Sequence, residues 1–204
     1  MTQESEESSR RRQPKGDKRD RTRAKLLEAA RSLIREKGHQ NTTLEDIAER
    51  AGMTTGAIYG NFKNRDELFL SLGQAYWPPI KPQVKPGASF AAIMRATAEA
   101  TIAAIPDRSA VAVGRLTGLA YTLTHEEMRA QVTEFTAQSY AFGEQWLRAM
   151  TKEEDLPMPA DQLVRVLHAL IEGLVFQRLL TPELVPDEVI RAAFAALAMK
   201  AGNE

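Results

Sequence analysis

Chemistry at a protein site needs nucleophiles, metal ligands or charged groups, and of the residues that often serve as the first two, cysteine is absent from this sequence and histidine is scarce in it. It contains no cysteine, which excludes disulfides, thiolate zinc sites and cysteine nucleophiles. Its three histidines are far apart in sequence, and two of them have a glutamate at helical spacing: Glu36 with His39, and Glu172 with His168. The second pair has two interpretations, a metal ligand pair or a hydrogen bond within the core or an interface. We expect no metal and no cofactor.

Motifs of the common enzyme classes are also missing. The sequence has no glycine-rich phosphate loop and no Gly-x-Ser-x-Gly nucleophile elbow. A di-iron carboxylate bundle needs two Glu-x-x-His motifs and two further glutamates. Only Glu36–His39 fits that motif, and it lies beside Gly38, where a helix is expected to end. We expect a protein that is not an enzyme; the alternatives are a helical-bundle enzyme and a protein-binding adaptor.

Positive charge is concentrated at the start of the chain. The first 65 residues hold 15 Lys and Arg against 10 Asp and Glu, whereas the remainder holds 12 against 17. Such asymmetry favours a polyanion as the partner of the basic part, and a solvated tail is the alternative. Residues 1–20 contain almost no apolar side chain, which predicts a disordered basic arm. The basic residues of this region are Arg10, Arg11, Arg12, Lys15, Lys18, Arg19, Arg21 and Arg23.

The rest of the chain has apolar residues at helical spacing and no alternating strand pattern. It predicts an all-α protein of about nine helices, with a proline-rich connection over residues 77–87. The expected helices span 21–37, 44–51, 55–62, 64–76, 88–105, 108–123, 124–150, 161–180 and 187–200. Thr124 and Glu127 are expected to form a capping box, and Pro106 to break a helix. No apolar stretch is long enough to cross a bilayer, so a cytoplasmic protein without membrane contact is expected.

Residues 44–63 meet the requirements of a helix-turn-helix. Two helices that cross closely need a small residue on the first, which Ala48 supplies, and a turn residue that tolerates positive φ, which Gly52 supplies. Ile58 on the second helix is placed to fill the crossing. Thr42 or Thr43 is expected to cap the first helix and Thr54 the second.

The segments TTLEDIAERAG and TTGAIYGNFKNRDELF resemble the DNA-binding signature of the TetR family of transcriptional regulators. The resemblance covers residues 21–76, and the LHALIEGL run followed by an alanine-rich helix is similar to many members. It implies a helix-turn-helix DNA-binding domain over residues 21–65 and a helical effector-binding and dimerisation domain over 66–204. It further implies a repressor that binds double-stranded DNA at a pseudo-palindromic operator as a homodimer and is released by a small molecule.

Motif positions of the family carry its DNA contacts onto particular residues. Phosphate contacts are implied near the start of the second and fourth helices, and base contacts at the start of the third. Gly60 departs from the bulkier residue that many members have. Tyr59 is assigned to DNA rather than to the core, whereas Phe62 is expected in the core. The implied DNA-binding residues are Thr42, Thr43, Thr54, Thr55, Gly56, Tyr59, Asn61, Lys63 and Arg65.

The last two helices predict a dimer interface. Residues 161–180 are apolar nearly all round the helix, and residues 192–198 are rich in alanine, which permits close helix approach. A hairpin buried inside a monomer is the alternative. The expected interface residues are Val164, His168, Ile171, Val175 and Phe194.

Aromatic and methionine side chains in the middle helices could line a mostly apolar effector site, although ordinary core packing would use the same residues. Arg115 is the polar candidate. Apart from Arg108 at the start, it is the one charged residue in the largely apolar segment 108–123. The alternatives for Arg115 are a buried ion pair and a position on the surface. The effector is expected to be largely apolar. The candidate effector-binding residues are Phe90, Met94, Arg115, Tyr121, Phe135, Phe142 and Trp146.

Overall fold

The structure, a computed structural model, describes residues 15–199, with side chains from Lys18 onwards. Over that range it has nine α-helices, one short 3-10 helix and no strand, which agrees with the predicted all-α class. No helix in this part of the chain combines the length and apolarity needed to cross a membrane. The helices are α1 Lys15–Lys37, α2 Leu44–Arg50, α3 Thr55–Tyr59, α4 Arg65–Tyr76, α5 Phe90–Ser109, α6 Ala112–Thr124, α7 Glu126–Met150, α8 Ala160–Leu180 and α9 Asp187–Ala198, with the 3-10 turn at Glu153–Asp155.

The chain divides into two compact units after Leu72, which lies within α4. The sequence placed the division seven residues earlier, after Arg65, because the helix-turn-helix motif ends there. Leu68, Phe69 and Ser71 of α4 are buried, so about the first two turns of α4 complete the first unit.

The first unit is built around the apolar face of α1. Leu26, Leu27, Ala30, Leu33 and Ile34 are all buried, as their spacing predicts. The predicted disordered arm, residues 1–20, overlaps the start of this helix. Helix α1 begins at Lys15, so residues 15–20 are helical and the predicted disordered arm is wrong for them, because lysine and arginine are good helix formers even without apolar neighbours. Residues 1–14 of that arm lie outside the described residues.

The second unit has its own core, and α5 contributes four of its eight buried side chains. Helix α5 packs against α9 and α8, and α7 packs against α8. Each of these helices contributes to one cluster of buried side chains. The members of that cluster are Phe90, Ile93, Met94, Ala98, Leu147, Leu163, Ile190 and Phe194.

Two predicted helix boundaries in this unit are wrong. Pro106 lies inside α5, which continues to Ser109; the proline is three residues from the helix end, so the hydrogen bond that it cannot donate is lost only near that end. Thr124 ends α6 rather than capping α7, because its hydroxyl donates to the carbonyls of Ala120 and Tyr121 at 3.3 and 3.0 Å. His125 is the N-cap of α7 and makes no capping bond through its side chain.

Candidate nucleic-acid interface

Helix α2 begins at a reciprocal cap. The Thr43 hydroxyl accepts the Asp46 amide at 3.1 Å, and the Thr43 amide donates to the Asp46 carboxylate at 3.0 Å. Lys37 donates to the same carboxylate at 2.5 Å, and this bond, followed by those from Thr43, lowers the Asp46 pKa. The cap ties the end of α1 to the start of α2.

A second ion pair joins the same two helices. Arg50 makes a bidentate contact with Glu36, both distances being 2.7 Å. This hydrogen bonding, with a further bond from Ser32, lowers the Glu36 pKa from 4.5 to about 2. Helix α2 is therefore held against α1 at both of its ends, which fixes the platform on which the next helix rests.

The turn between α2 and α3 has the geometry that the motif requires. Gly52 has φ +65°, the left-handed region in which a side chain is strained. Its amide donates to Glu49 at 3.0 Å, and the Met53 amide donates to Ala48 at 2.9 Å. The chain thus reverses direction immediately after α2, and Ala48, 3% exposed, allows the close crossing.

Helix α3 separates a buried side from an exposed one. Ile58 is fully buried and Phe62 is 1% exposed, whereas Tyr59 between them is 60% exposed. The helix ends at Tyr59, three residues earlier than predicted, and Gly60 is its C-cap. A large aromatic side chain exposed on a short helix, with both apolar neighbours already buried, is available to a partner rather than to the core.

Two arginines hold α3 and α4 in place. Arg23 of α1 donates to the Asn61 carbonyl at 2.7 Å and to the Ser71 hydroxyl at 2.5 Å, and its guanidinium lies 4.2 Å from the Phe62 ring centroid. In the sequence, Arg23 is simply one of the basic residues near the start of the chain. Its positioning role could not be recognised, because its partners lie 38 and 48 residues away.

Arg65 makes similar contacts from α4. Its guanidinium donates to the carbonyls of His39 and Thr42, at 2.7 and 3.3 Å, and lies 4.3 Å from the Phe69 ring centroid. It is half-buried. These contacts connect α4 to the turn before α2, so the guanidinium that the sequence assigned to phosphate is bonded to the protein's own backbone.

Two other residues of the predicted DNA-binding set also point into the protein. Thr42 is 1% exposed, and its hydroxyl donates to the Gly38 carbonyl at 2.8 Å. The Asn61 amide nitrogen donates to the Ala57 carbonyl at 2.7 Å, and its Oδ1 is buried without a hydrogen-bond partner. Both side chains close turns of the motif, and the assignment of the Thr42 hydroxyl to phosphate is wrong because that hydroxyl is buried.

All of the remaining members of the set except Thr55 are exposed. Thr55 is half-buried at the start of α3. Thr54 is the N-cap residue of α3, but its hydroxyl makes no capping hydrogen bond to the helix. The Lys63 amide donates to Glu67 at 2.6 Å, while its side chain is exposed. The exposed members are Thr43, Thr54, Gly56, Tyr59 and Lys63.

Candidate effector residues in the second unit divide into three groups. Phe90 and Met94 are part of the core cluster, at 6% and 0% exposure, so they serve packing. Phe142 is 63% exposed on α7, so it does not line an enclosed site within this chain. Tyr121 stacks on His125 with ring centroids 3.7 Å apart. Phe135 and Trp146 are half-buried.

Arg115, the polar candidate, belongs to a charged cluster around Glu172. The Glu172 carboxylate accepts hydrogen bonds from Trp77 at 2.7 Å, from Arg115 at 3.1 Å and from Arg108 at 3.4 Å. His168 bonds Tyr140 instead, with Nδ1 2.8 Å from the hydroxyl oxygen. No group of three or more metal-ligating side chains occurs among the described residues, and the hydrogen-bond interpretation of His168 agrees with its geometry.

The predicted interface residues fall into a buried group and a half-buried group. Val175 and Phe194 are fully buried within the chain, and their assignment to an interface is wrong because the periodicity of an all-apolar helix does not show which face meets its own core. Val164, His168 and Ile171 are half-buried. Both helices nevertheless have an exposed face of small and apolar residues at helical spacing. On α8 it consists of Val166, Ala169, Gly173 and Leu180, with the polar Gln177 between the last two, and on α9 of Val189, Ala192 and Ala196, with Met199 just beyond the helix.

This arrangement defines a class of protein: a helix-turn-helix unit of α1 to α4, followed by a separate helical unit. Residues 26–72 match the family model described as bacterial regulatory proteins, tetR family, and residues 86–200 match the tetracyclin repressor-like C-terminal domain. The second match alone covers more than half of the chain. The chain belongs to the TetR family of transcriptional regulators.

Individual relatives agree with this assignment. The chain is 51% identical over 51 residues to the transcriptional regulator TtgR of Pseudomonas putida, a match that covers 25% of this chain and 24% of that protein. It is 45% identical over 49 residues to the probable acrEF/envCD operon repressor of Escherichia coli, over 24% of this chain and 22% of that protein. These matches span about a quarter of the relatives' length.

Solved structures extend the likeness to most of the chain. The native structure of NalD of Pseudomonas aeruginosa, described as the secondary repressor of the MexAB-OprM multidrug efflux pump, has a TM-score of 0.57 and 25% identity, over 88% of this chain and 94% of that one. A SmeT–triclosan complex has the same fold, with a TM-score of 0.56 and 21% identity, over 87% of this chain and 90% of that one. Family membership favours a regulator over the enzyme and adaptor alternatives.

Proposed function

We propose that the protein is a DNA-binding repressor that acts as a homodimer in the cytoplasm and is released from its operator by a small molecule. The observation that carries the proposal is α3, a short helix with Ile58 and Phe62 buried and Tyr59 exposed beside it. Residues 21–65 supply the DNA-binding part and residues 66–204 the effector-binding and dimerisation part. The names of TtgR, NalD and the operon repressor, all of regulators, support this function.

Helix α3 would enter the major groove with Thr55 and Gly56 at the base edges. Gly56 lets the backbone approach the DNA, and the Tyr59 ring is free to reach a thymine methyl or a phosphate. Thr43, Thr54 and Lys63 would contact phosphates, which fix the position of the helix without reading sequence. Arg23 and Arg65 act indirectly, because they hold the segments that carry these residues.

The test of the DNA-binding part uses DNA from upstream of the protein's own gene. Lys63→Ala should weaken binding and lower the slope of log K against log salt by about one unit, because one phosphate contact is lost. Arg148→Ala is the matched control, since Arg148 is exposed on α7 and pairs with Glu144 and Glu153. An unchanged slope and affinity in Lys63→Ala would exclude this residue from the interface.

Dimerisation would use the exposed faces of α8 and α9. Two helices from each subunit can form a four-helix interface about a two-fold axis, and their small residues permit close contact. A dimer is needed because one recognition helix cannot occupy two half-sites about one helical turn apart. The exposed Leu180 and Leu184, at 67% and 75%, lie at the end of the α8 face and in the loop that follows it.

Sedimentation equilibrium tests the interface. The native protein should sediment at twice the chain mass of 22.7 kDa. Ala169→Arg, on the exposed face of α8, should shift the protein to the monomer, because it would bury two like-charged arginines, one from each subunit, without partners. Ala130→Arg, at an equally exposed position of α7, should remain a dimer. A native monomer, or equal behaviour of the two variants, would refute the assignment.

A ligand that releases DNA must bind the released conformation more tightly than the DNA-bound one. The SmeT–triclosan structure shows that a relative of this fold binds a small molecule. In this chain the second unit would supply the site, and Tyr121, Phe135 and Trp146 remain its candidate apolar residues. The effector is proposed to present a largely apolar surface to them.

A further inference from the structure

The second unit contains a cluster with more positive than negative charge. Arg108 and Arg115 both face one carboxylate, Glu172. Arginine keeps its charge in proteins, so the cluster has one uncompensated positive charge. His168, which lies near the cluster, does not change this balance, because burial lowers its pKa, Glu172 opposes that shift, and Arg115 and Arg108 add to it.

The excess charge is largely removed from water. The Arg108 side chain is 4% exposed and Glu172 is 19% exposed. Burial is the main reason why the Arg108 pKa is lowered; Glu172 raises it, and Arg115 lowers it further. Buried charges are normally paired, since an uncompensated charge in a poorly hydrated place is unfavourable. A second anion at this place would complete the pairing.

The geometry shows which arginine is available to such an anion. Arg108 is committed, because it donates to the Pro78 carbonyl at 2.9 Å as well as to Glu172, and its guanidinium lies 4.5 Å from the Trp77 ring centroid. Arg115 has one hydrogen bond, to Glu172, and its Nε is buried without a partner. Its side chain is 27% exposed, so that a molecule from solvent can reach it.

Two stacked aromatic rings adjoin the charged cluster. Trp77 is 8% exposed and donates to Glu172, and its ring stacks on Phe176 with centroids 5.3 Å apart and an interplanar angle of 17°. Low local polarity strengthens a hydrogen bond between a guanidinium and an anion. A planar carboxylate matches the two-donor edge of arginine, and an apolar body suits the neighbouring side chains.

We propose that Arg115, supported by Arg108 and Trp77, binds the carboxylate of a small organic acid, and that this acid is the effector. The inference rests on the proposed function, which it narrows from a largely apolar effector to an apolar molecule with one carboxylate. Glu172 occupies part of the same arginine surface, so the incoming carboxylate competes with it for Arg115. This competition offers a physical route by which binding changes the contacts among Trp77, α6 and α8.

The test is direct binding of matched probes to the full-length protein by titration calorimetry. The probes are octanoate and 2-naphthoate, their uncharged primary amides, and inorganic phosphate. At least one acid should bind about tenfold more tightly than its amide, which is the size expected for a charge-assisted hydrogen bond. Equal affinity of each acid and its amide would overturn the proposal, and so would phosphate binding as tightly as the acids.

Variants separate a binding role from a structural one. Arg115→Gln should abolish the preference for the acid, and Arg148→Gln, at an exposed arginine of α7, should retain it. Glu172→Gln should increase the preference, because the competing carboxylate is gone. A purely structural cluster predicts that neither Arg115→Gln nor Glu172→Gln changes the ratio of acid to amide affinity. The comparison of acid and amide on the native protein stands even where a variant fails to fold.

Failure of this proposal is distinguishable from failure of the proposed function. Calorimetry needs no DNA, whereas the regulatory function is measured by DNA binding of the native protein without any probe. A native protein that binds its operator but shows no preference for an acid retains the proposed function and refutes the carboxylate site. A protein that binds the acid but no DNA refutes the repressor.

Discussion

Replacing Ile58 with alanine tests whether α3 is held by burial of this one side chain. The substitution removes three carbon atoms from a fully buried position. Each methylene-sized group contributes about 0.8 kcal/mol on burial, or about 2.4 kcal/mol here, and the cavity left behind adds to this. We therefore expect the free energy of opening of this unit to fall by about 2–5 kcal/mol, which is a large share of the stability of a small folded unit.

The neighbouring residue provides the control. Tyr59→Ala removes a larger side chain, but one that is 60% exposed, so the free energy of opening should change by less than about 0.5 kcal/mol. Tyr59→Ala should weaken operator binding all the same, because the ring is assigned to the DNA. Two adjacent substitutions thus separate folding of the motif from contact with its partner.

Amide hydrogen exchange, read from peptides that cover residues 44–62, is the suitable assay because it reports opening of this segment alone. Ile58→Ala should accelerate exchange there about 30-fold or more, since each factor of ten corresponds to about 1.4 kcal/mol. Tyr59→Ala should leave exchange nearly unchanged. An effect below about 1 kcal/mol for Ile58→Ala, or equal effects of the two variants, would refute the account of how α3 is positioned.

Three further predictions concern the same unit. Gly52→Ala should lower the free energy of unfolding by about 1–2 kcal/mol in urea, because the φ of +65° is strained for alanine even though no neighbouring atom obstructs the new methyl group. Gly73→Ala is the control and should not destabilise, because Gly73 also has open space but lies in a helix without a positive φ. The carboxylate of Glu36 contributes stability that is present above pH 4.5 and is lost as the pH falls towards about 2, because Arg50 lowers its pKa to that value. Glu36→Gln should therefore make stability depend less on pH between 4.5 and 2. An unchanged pH dependence in this range would count against the ion pair. Deletion of residues 1–14 removes Arg10, Arg11 and Arg12 and should weaken binding to operator and random DNA alike, with a shallower salt dependence; identical salt slopes would show that this segment does not contact DNA.

Local patterns predicted those parts of the fold that depend on neighbours in sequence. The spacing of Leu26, Leu27 and Ala30 identified the buried face of α1, and Gly52 identified the turn of the motif. Tyr59 was assigned an exposed position for the same reason, because Ile58 and Phe62 satisfy the core on either side of it.

Contacts between distant residues could not be predicted in this way. Arg23 and Arg65 look like surface cations, and only the folded chain shows that each donates to backbone carbonyls and lies over an aromatic ring. Val175 and Phe194 belong to helices that are apolar on several sides, so periodicity did not show which side meets the chain's own core. The partners of Glu172 come from three separate segments, and no spacing rule joins them.

The central claim is that two copies of α3 read a two-fold symmetric DNA sequence. Selection of binding sites from a pool of random duplex DNA, with the purified native protein at physiological salt, tests it most directly. The account predicts enrichment of an inverted repeat whose half-sites lie about 10 base pairs apart or a multiple of that, bound at least about a thousandfold more tightly than random DNA. A pool that shows no enriched sequence, or one enriched in a single half-site without symmetry, would contradict it.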